Sequence, residues 1–344
     1  MAIKEMIVKV IEGRSLRETE AAAAMLDIVE GLATPSQISA FAVGLRMKGE
    51  TAEEVAGLAR IMRRYANRVD AGPDVVDIVG TGGDGARTFN ISTLAAFVVA
   101  AAGGKVAKHG NRGVTSGCGA ADILEALGVA IDLPPDGVAA CVRETGFGFM
   151  FAPLYHPAMR HAVVPRREIG VRTVFNLLGP ITNPAGVTAQ LTGVAVPEAT
   201  PIIAEVLRLL GARRALVVHG GDGVDELSIS APTQVFDVAD GSVREYEVTP
   251  ESVGLDRAAP ETIRGGTVEE NLRFARRVLG GEAGPARDVV LLNAAGGLVV
   301  AGLASDLAEG VRLAADAIDS GRAQEKVRRV AEASQGLKAA GGVA

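Results

Sequence analysis

Residues 75–101 read VVDIVGTGGDGARTFNISTLAAFVVAA, and this pattern determines the architecture that we expect. The apolar run at 75–79 predicts a buried strand, and the alanine-rich run at 92–102 predicts a helix. The glycine-rich loop between them lets backbone N–H groups approach a ligand closely. Because the loop ends at a helix N-terminus, which carries partial positive charge, the stretch predicts an anion-binding site. The alternative is a tight turn with helix-capping residues.

The alternation of short apolar strands and helices continues after the loop. Further strands are predicted at 105–108, 147–151, 190–196 and 214–219, and helices near 120–127, 135–144 and 198–210. Short strands that alternate with helices are typical of an α/β fold with a mostly parallel central sheet. A β-hairpin is predicted at 234–248 with its turn at Asp240-Gly241, and the last 80 or so residues are mainly helical.

The first 68 residues follow a different, helical pattern. Three helix-start signals of the capping-box type occur there: Ser15 with Glu18, Thr34 with Gln37, and Thr51 with Glu54. A proline-containing stretch at 157–188 fits neither period well. We therefore expect a small helical domain at 1–70, a crossover segment at about 165–188, and an α/β domain formed by 71–164 and 189–344.

Composition excludes several classes of protein. The chain has 344 residues, of which 48% are hydrophobic, and its formal net charge is −6. This charge has the wrong sign for a nucleic-acid or membrane-surface protein, and no apolar run is long enough for a membrane helix. Two cysteines are too few for a disulfide framework. We expect a soluble, cytoplasmic protein without nucleic-acid or membrane partners.

The glycine loop also matches the dinucleotide pattern G-x-G-x-x-G at Gly80, Gly82 and Gly85. A dinucleotide site needs an acidic residue about 20 positions later, and no Asp or Glu occurs between Gly85 and Ala121. Four cations lie in that segment instead, which predicts a multiply anionic ligand. They are Arg87, Lys105, Lys108 and Arg112.

Two further clusters follow predicted strands. Residues 108–120 form a second polar, glycine-rich loop, and the carboxylates of Asp222, Asp225 and Glu226 follow the strand at 214–219. Parallel strands bring such loops to one edge of the sheet, where carboxylates and substrate phosphates together favour Mg²⁺. A solvated acidic turn is the alternative. No base adjoins Cys118 as a nucleophile would require, and the histidines at 156 and 161 lack zinc-site spacing.

The chain resembles the anthranilate phosphoribosyltransferase family in five motifs. They are GTGGD at 80–84, NIST at 90–93, KHGNR at 108–112, VRTVFNLLGP at 171–180 with TNP at 182–184, and DE at 225–226. The resemblance implies the class IV phosphoribosyltransferase fold, shared with pyrimidine nucleoside phosphorylases, and a homodimer formed through the helical domain. It also implies transfer of a 5-phosphoribosyl group from its 1-diphosphate to anthranilate in L-tryptophan biosynthesis. A pyrimidine nucleoside phosphorylase or a non-catalytic nucleic-acid-binding relative are the alternatives.

The resemblance also implies roles for individual residues, and none of them is a general acid or base. The phosphoribosyl diphosphate site would comprise Gly80, Gly83, Asp84, Thr88, Asn90, Ile91, Ser92, Thr93, Lys108, His109, Gly110, Asn111, Arg112, Gly113, Val114, Thr115, Ser116 and Ala120. Anthranilate would face Gly80, Asn111 and Arg166, with Arg167 as the alternative to Arg166, and Mg²⁺ would be held by Ser92, Asp225 and Glu226.

One stretch departs from the family pattern. Residues 113–120 read GVTSGCGA where the family often has SVSSKSGS, so that a lysine and three hydroxyl groups are missing. The positions concerned are Gly113, Gly117, Cys118 and Ala120. We expect weaker binding of the phosphoribosyl donor as a result.

Overall fold

A seven-stranded sheet lies at the centre of the computed structural model, which describes residues 1–113 and 117–341. The strands are β1 (Val75–Gly80), β2 (Lys105–Gly110), β3 (Phe147–Phe151), β4 (Ala189–Gly193), β5 (Arg214–Gly220), β6 (Thr233–Ala239) and β7 (Ser242–Val248). Their spatial order is β3-β2-β1-β4-β5-β6-β7. The first five strands are parallel, and β6 and β7 form an antiparallel hairpin. The predicted mostly parallel sheet and terminal hairpin are confirmed.

Helices surround the sheet on both faces. They are α1 (Ile3–Ile11), α2 (Glu18–Val29), α3 (Pro35–Lys48), α4 (Ala52–Tyr65), α5 (Ile91–Ala101), α6 (Ala120–Ala126), α7 (Pro135–Thr145), α8 (Ala152–Tyr155), α9 (Arg160–Ile169), α10 (Phe175–Leu178), α11 (Thr200–Leu209), α12 (Val268–Leu279), α13 (Pro285–Val300), α14 (Leu307–Asp319) and α15 (Arg322–Gly341). Within the described part of the chain, none of these helices is long and apolar enough to span a membrane.

Two of the three predicted capping boxes begin helices. Thr34 starts α3 and Thr51 starts α4, each with reciprocal hydrogen bonds to the side chain three residues later. The predicted box at Ser15 is wrong, because α2 begins after Arg17. The physical reason is tertiary: the Leu16 N–H donates to Glu54 Oε1 at 2.8 Å, and burial of Leu16 keeps this segment outside the helix.

Alternate residues of the strands supply two separate apolar cores, as the pleat requires. In β5, Leu216 and Val218 face the core built with α5, α13 and α14, whereas Ala215 and Val217 face the core that includes α1–α4 and α11. The proline-containing stretch forms α9, α10 and short 3₁₀ turns, and α9 packs against α3. Helices α1–α4 and α9, which we call the helical layer, are therefore attached to one face of the sheet.

Strand order also locates the ligand crevice. β1 and β4 are neighbours in the sheet. From β1 the chain continues to β2, toward one edge of the sheet, and from β4 it continues to β5, toward the opposite edge. In open α/β sheets, ligands bind beyond the carboxyl ends of the strands where the connections diverge in this way. The loops after β1, β2 and β5 meet at that edge.

Candidate active site

The carboxylate of Asp225 lies directly against the glycine loop after β1. Its Oδ2 accepts a hydrogen bond from the Gly82 N–H at 2.6 Å. A Cβ atom at Gly80 would lie 2.3 Å from this oxygen, and one at Gly193 would lie 1.6 Å from the Asp225 carbonyl oxygen. Glycines at the ends of β1 and β4 therefore permit the loop after β5 to cross over them and reach β1.

A second contact joins all three predicted clusters. The Ser92 N–H, at the start of α5, donates to Glu226 Oε1 at 3.2 Å, and Lys108 Nζ donates to Ser92 Oγ at 3.3 Å. Lys108 is 1% exposed, and its ammonium also donates to the Ile78 carbonyl oxygen of β1. Residues that are 134 positions apart in sequence thus meet at the carboxyl edge of the sheet.

The carboxylates of this site raise one another's pKa values. Burial, reinforced by the charge of Asp84, raises the pKa of Asp225, and burial together with Asp225 raises the pKa of Glu226 well above its usual range. Burial lowers the pKa of Lys108, although Asp77, Glu226 and Asp225 oppose this effect. In the described residues, Asp84 Oδ2 is buried without a hydrogen-bond partner. Burial and the neighbouring carboxylates therefore both disfavour the charged forms of Asp225 and Glu226.

The carboxylate oxygens of Asp84, Asp225 and Glu226 are suitable ligands for a hard divalent cation, but they supply only part of its coordination shell. Mg²⁺ uses one or two carboxylates together with substrate phosphates, rather than a cage made only of protein ligands. Residues 1–113 and 117–341 contain no cluster of three or more His, Cys, Asp or Glu side chains arranged to hold a metal ion. Among the described residues, the buried and unpartnered Oδ2 of Asp84 is an oxygen of the kind that binds a hard cation.

The remaining predicted residues of the first loop have mixed placements. Thr88 forms an isolated antiparallel β-bridge with Arg264. It also lines a cavity of about 890 Å³ that extends to Asn271 of α12. Asn90 accepts a hydrogen bond from Asn271 Nδ2 at 2.9 Å and donates one to the Cys118 carbonyl oxygen at 3.1 Å. The side chains of Ile91 and Thr93 are buried, and among the described residues the Thr93 hydroxyl has no hydrogen-bond partner. Asn271 was missed, because no local motif marks it.

The side chains of Lys108 and His109 lie on opposite faces of β2, because successive side chains alternate along a strand. Whereas Lys108 reaches Ser92, the His109 ring contacts the Gly179 carbonyl oxygen at 3.2 Å and the His156 ring, with centroids 5.0 Å apart. Burial lowers the pKa of His109 to about 3 and that of His156 to about 4. Both Lys108 and His109 were predicted to bind the donor, and His156 carries no sequence signal for its contact with His109.

The prediction that four cations form one cluster is wrong for Lys105 and Arg112. Lys105 begins β2 and therefore lies at the edge opposite the crevice, while Arg112 forms ion pairs with Asp122 and Glu125. Asp122 Oδ2 also accepts hydrogen bonds from the N–H groups of Gly113 and Gly119. Because Asp122 follows the acid-free segment directly, charge counting up to residue 121 overlooked it.

Other predicted residues of this loop lie close to that anchor. Gly110 ends β2 beside Ala120, which begins α6, since a Cβ atom at Gly110 would lie 3.1 Å from the Ala120 Cβ. Asn111 is exposed, and its Oδ1 accepts a hydrogen bond from the Arg112 N–H at 2.8 Å. Val114, Thr115 and Ser116 lie outside the described residues.

Two arginines of the connecting segment have different contacts, and only Arg172 reaches the glycine loop. Arg166, in the last turn of α9, places its guanidinium 5.8 Å from the ring centroid of Phe175. For Arg167 no such ring contact is found in the part of the chain that the structure describes. Arg172, for which the sequence motifs predict no role, donates to the carbonyl oxygens of Gly83 at 2.8 Å and Gly82 at 3.0 Å.

Comparison with known proteins agrees with this architecture over nearly the whole chain. Residues 4–66 match the helical bundle domain of a glycosyl transferase family, and residues 72–324 match its a/b domain. An anthranilate phosphoribosyltransferase of Symbiobacterium thermophilum is 55% identical over 98% of this chain and 99% of its own length.

Two solved structures show the same likeness. Anthranilate phosphoribosyltransferase from Thermus thermophilus has a TM-score of 0.91 at 47% identity and covers 97% of this chain and 99% of its own. The enzyme from Saccharomyces cerevisiae in complex with PRPP and Mg has a TM-score of 0.89 at 29% identity, covering 97% and 98%. This chain belongs to the anthranilate phosphoribosyltransferase family.

Proposed function

We propose that this protein transfers the 5-phosphoribosyl group from 5-phosphoribosyl 1-diphosphate to the amine of anthranilate, releasing diphosphate, in tryptophan biosynthesis. The observation that carries the proposal is the meeting of Glu226, Ser92 and Lys108 at the carboxyl edge of the sheet. A helix N-terminus, an ammonium group and carboxylates suited to Mg²⁺ there match a donor that is both highly anionic and metal-bound. The names of the relatives agree with this substrate pair.

The donor site is assigned to the first two loops. Backbone N–H groups of residues 83–85 and the hydroxyl of Thr88 are available to phosphate oxygens. Lys108 adds a buried positive charge at the start of α5. Among the other proposed donor residues, Asn90 and Arg112 already have protein partners, so they would shape the loops as much as bind phosphate.

Asp225, Glu226 and Ser92 are the proposed holders of Mg²⁺, and Asp84 adjoins them. When bound, the ion would neutralise charge on the departing diphosphate. Asp225 also fixes the glycine loop through its hydrogen bond from Gly82, and Glu226 fixes the start of α5 through Ser92. The same two carboxylates therefore organise the N–H groups that face the phosphates.

The reaction needs positioning and electrostatic stabilisation rather than a strong base. The aromatic amine is a neutral nucleophile, whereas positive charge develops at the anomeric carbon as negative charge grows on the leaving diphosphate. Fixed N–H groups and cations directed at the leaving group lower this barrier. Consistently, the only histidine of the glycine-loop motifs, His109, is directed away from Ser92 and is held neutral by burial.

Anthranilate is assigned to the side of the crevice next to the connecting segment. Arg166 supplies a cation for its carboxylate, and Phe175 lies beside that guanidinium. Gly80 and Asn111 complete the proposed contacts at the ends of β1 and β2. This arrangement would present the amine to the anomeric carbon from the helical side.

Anthranilate fluorescence provides the test. The protein with 5-phosphoribosyl 1-diphosphate and Mg²⁺ should consume anthranilate, and chelation of the metal should stop the reaction. In a parallel arm, phosphate and a pyrimidine nucleoside replace the two substrates. Loss of anthranilate with no phosphorolysis is the expected result. Phosphorolysis without anthranilate consumption would overturn the proposal in favour of a nucleoside phosphorylase.

We also propose a homodimer formed through the helical domain, residues 1–70, and a cytoplasmic location. Apolar side chains on the surface of the helical layer support the dimer: Ile11 is 66% exposed and Met47 is 83% exposed. Sedimentation analysis of the parent and of a Met47→Glu variant tests the proposal. A monomeric parent protein would refute it.

A further inference from the structure

Arg172 holds the glycine loop by a two-point contact that the sequence motifs do not reveal. Its Nη1 donates to the Gly83 carbonyl oxygen at 2.8 Å and its Nη2 to the Gly82 carbonyl oxygen at 3.0 Å. The planar guanidinium presents two parallel N–H groups, so one side chain fixes two successive peptide units. A lysine ammonium lacks this fork geometry.

Fixing these carbonyl groups also fixes the N–H groups of the same peptides. In a trans peptide the C=O and N–H bonds point in opposite directions, and the described chain contains no cis peptide bond. The Gly82 carbonyl shares its peptide with the Gly83 N–H, and the Gly83 carbonyl shares its peptide with the Asp84 N–H. Both N–H groups therefore point away from Arg172.

Those two N–H groups are available to a ligand. Across residues 1–113 and 117–341, neither the Gly83 nor the Asp84 N–H donates to a protein acceptor, whereas the neighbouring Gly82 N–H donates to Asp225. Gly82 and Gly83 have φ values of 69° and 70°, and successive N–H groups in such a turn form a concavity that binds anions. Space is restricted as well, because a Cβ atom at Gly83 would lie 2.7 Å from Arg172 Nη1.

We propose that Arg172 is a positioning residue that turns the Gly83 and Asp84 N–H groups toward the diphosphate of the phosphoribosyl donor. Arg172 contacts the backbone of the loop rather than the substrate. Since it belongs to the segment between α9 and α10, it also links the helical layer to the donor loop. The inference rests on the proposed function, because it assumes that this loop receives the donor.

Steady-state kinetics of Arg172→Ala and Arg172→Lys test the proposal. Loss of two oriented donors to a charged ligand should raise KM for the phosphoribosyl donor by roughly tenfold to a hundredfold. KM for anthranilate and the melting temperature should stay near the parent values. Arg172→Lys keeps the charge but loses the fork, and we expect it to recover only a small part of the loss. Arg143→Ala, an exposed arginine on α7, is the control for removal of one positive charge.

Chemical rescue and diphosphate binding separate this role from a general structural one. Added guanidinium ion at low concentration should lower the donor KM of Arg172→Ala but not that of the parent. Full recovery in Arg172→Lys, or equal increases in both KM values, would overturn the proposal. Should Arg172→Ala fail to fold, Arg172→Gln replaces it in the same comparison.

Calorimetric binding of inorganic diphosphate with Mg²⁺ requires no turnover. Weakened binding in the variant, together with an inactive parent, would contradict the proposed function but support the role of Arg172. An active parent with unchanged diphosphate binding in the variant would contradict only the role of Arg172.

Discussion

Asp225→Asn should have opposite effects on stability and on activity. Asparagine keeps the size of the side chain and an oxygen that accepts the Gly82 N–H, but it removes a buried charge. Folding raises the pKa of Asp225 because the carboxyl is buried beside Asp84. A carboxyl with a raised folded-state pKa destabilises the folded protein increasingly as the pH rises through that pKa.

The expected stability change follows from this linkage. Each unit by which folding raises a pKa corresponds to about 1.4 kcal/mol, and folding raises the pKa of Asp225 from 3.8 to about 7, so removal of the charge should increase the free energy of unfolding at pH 8 by up to about 4 kcal/mol without metal. Activity should change in the other direction, because a proposed metal ligand is lost. A decrease of roughly a hundredfold in kcat/KM corresponds to about 3 kcal/mol of transition-state stabilisation.

Thermal unfolding with and without Mg²⁺ and inorganic diphosphate, combined with the fluorescence assay, measures both effects. Asp222→Asn is the matched control, since this exposed residue of the same loop contacts Ser228 rather than the glycine loop. Ligand-induced stabilisation should disappear in Asp225→Asn and persist in Asp222→Asn. Parental activity and metal dependence in Asp225→Asn, or equal losses in both variants, would refute the reasoning.

Three further predictions concern single residues. Arg166→Ala should raise KM for anthranilate more than KM for the donor, and a larger effect of Arg167→Ala would reverse the assignment. Ala120→Ser restores a hydroxyl beside the end of β2 and should lower KM for the donor by up to about tenfold, with anthranilate unaffected; an unchanged donor KM would place position 120 outside the phosphate contacts. His156 has a folded-state pKa of about 4 against 6.5 when unfolded, so the unfolded chain binds more protons and stability falls as the pH falls. Denaturant titrations at pH 7 and pH 5 should show that His156→Gln removes about 2 kcal/mol of this loss, and an identical pH dependence in parent and variant would contradict it.

Features set by local sequence were predicted best. The strand at 75–79, the glycine loop and the capping boxes at Thr34 and Thr51 depend on residues that are close in sequence, and the structure confirms them. The box at Ser15 failed because Glu54, 38 residues away, binds the Leu16 N–H instead. A local sequence pattern carries no information about a hydrogen-bond acceptor as distant in sequence as Glu54.

The electrostatic prediction failed in part for a related reason. Lys105 and Lys108 are close in sequence, so a count of charges along the chain groups them together. In the structure Lys105 begins β2, whereas Lys108 lies nearer the carboxyl end of this strand, and only Lys108 reaches the crevice. The compensation of Arg112 by Asp122 depends on the loop folding back onto α6. Similarly, the contact of Arg172 with the glycine loop spans 90 positions, and no spacing rule predicts it.

Phosphorus NMR of a reaction mixture tests the central claim most directly. The protein is mixed with 5-phosphoribosyl 1-diphosphate and Mg²⁺, and anthranilate is then added in limiting amount. The donor signals should persist until anthranilate is added. They should then convert to diphosphate and a new phosphomonoester, each in amounts equal to the anthranilate consumed. Release of diphosphate without anthranilate, or no conversion after its addition, would contradict the proposed transfer of the phosphoribosyl group to anthranilate.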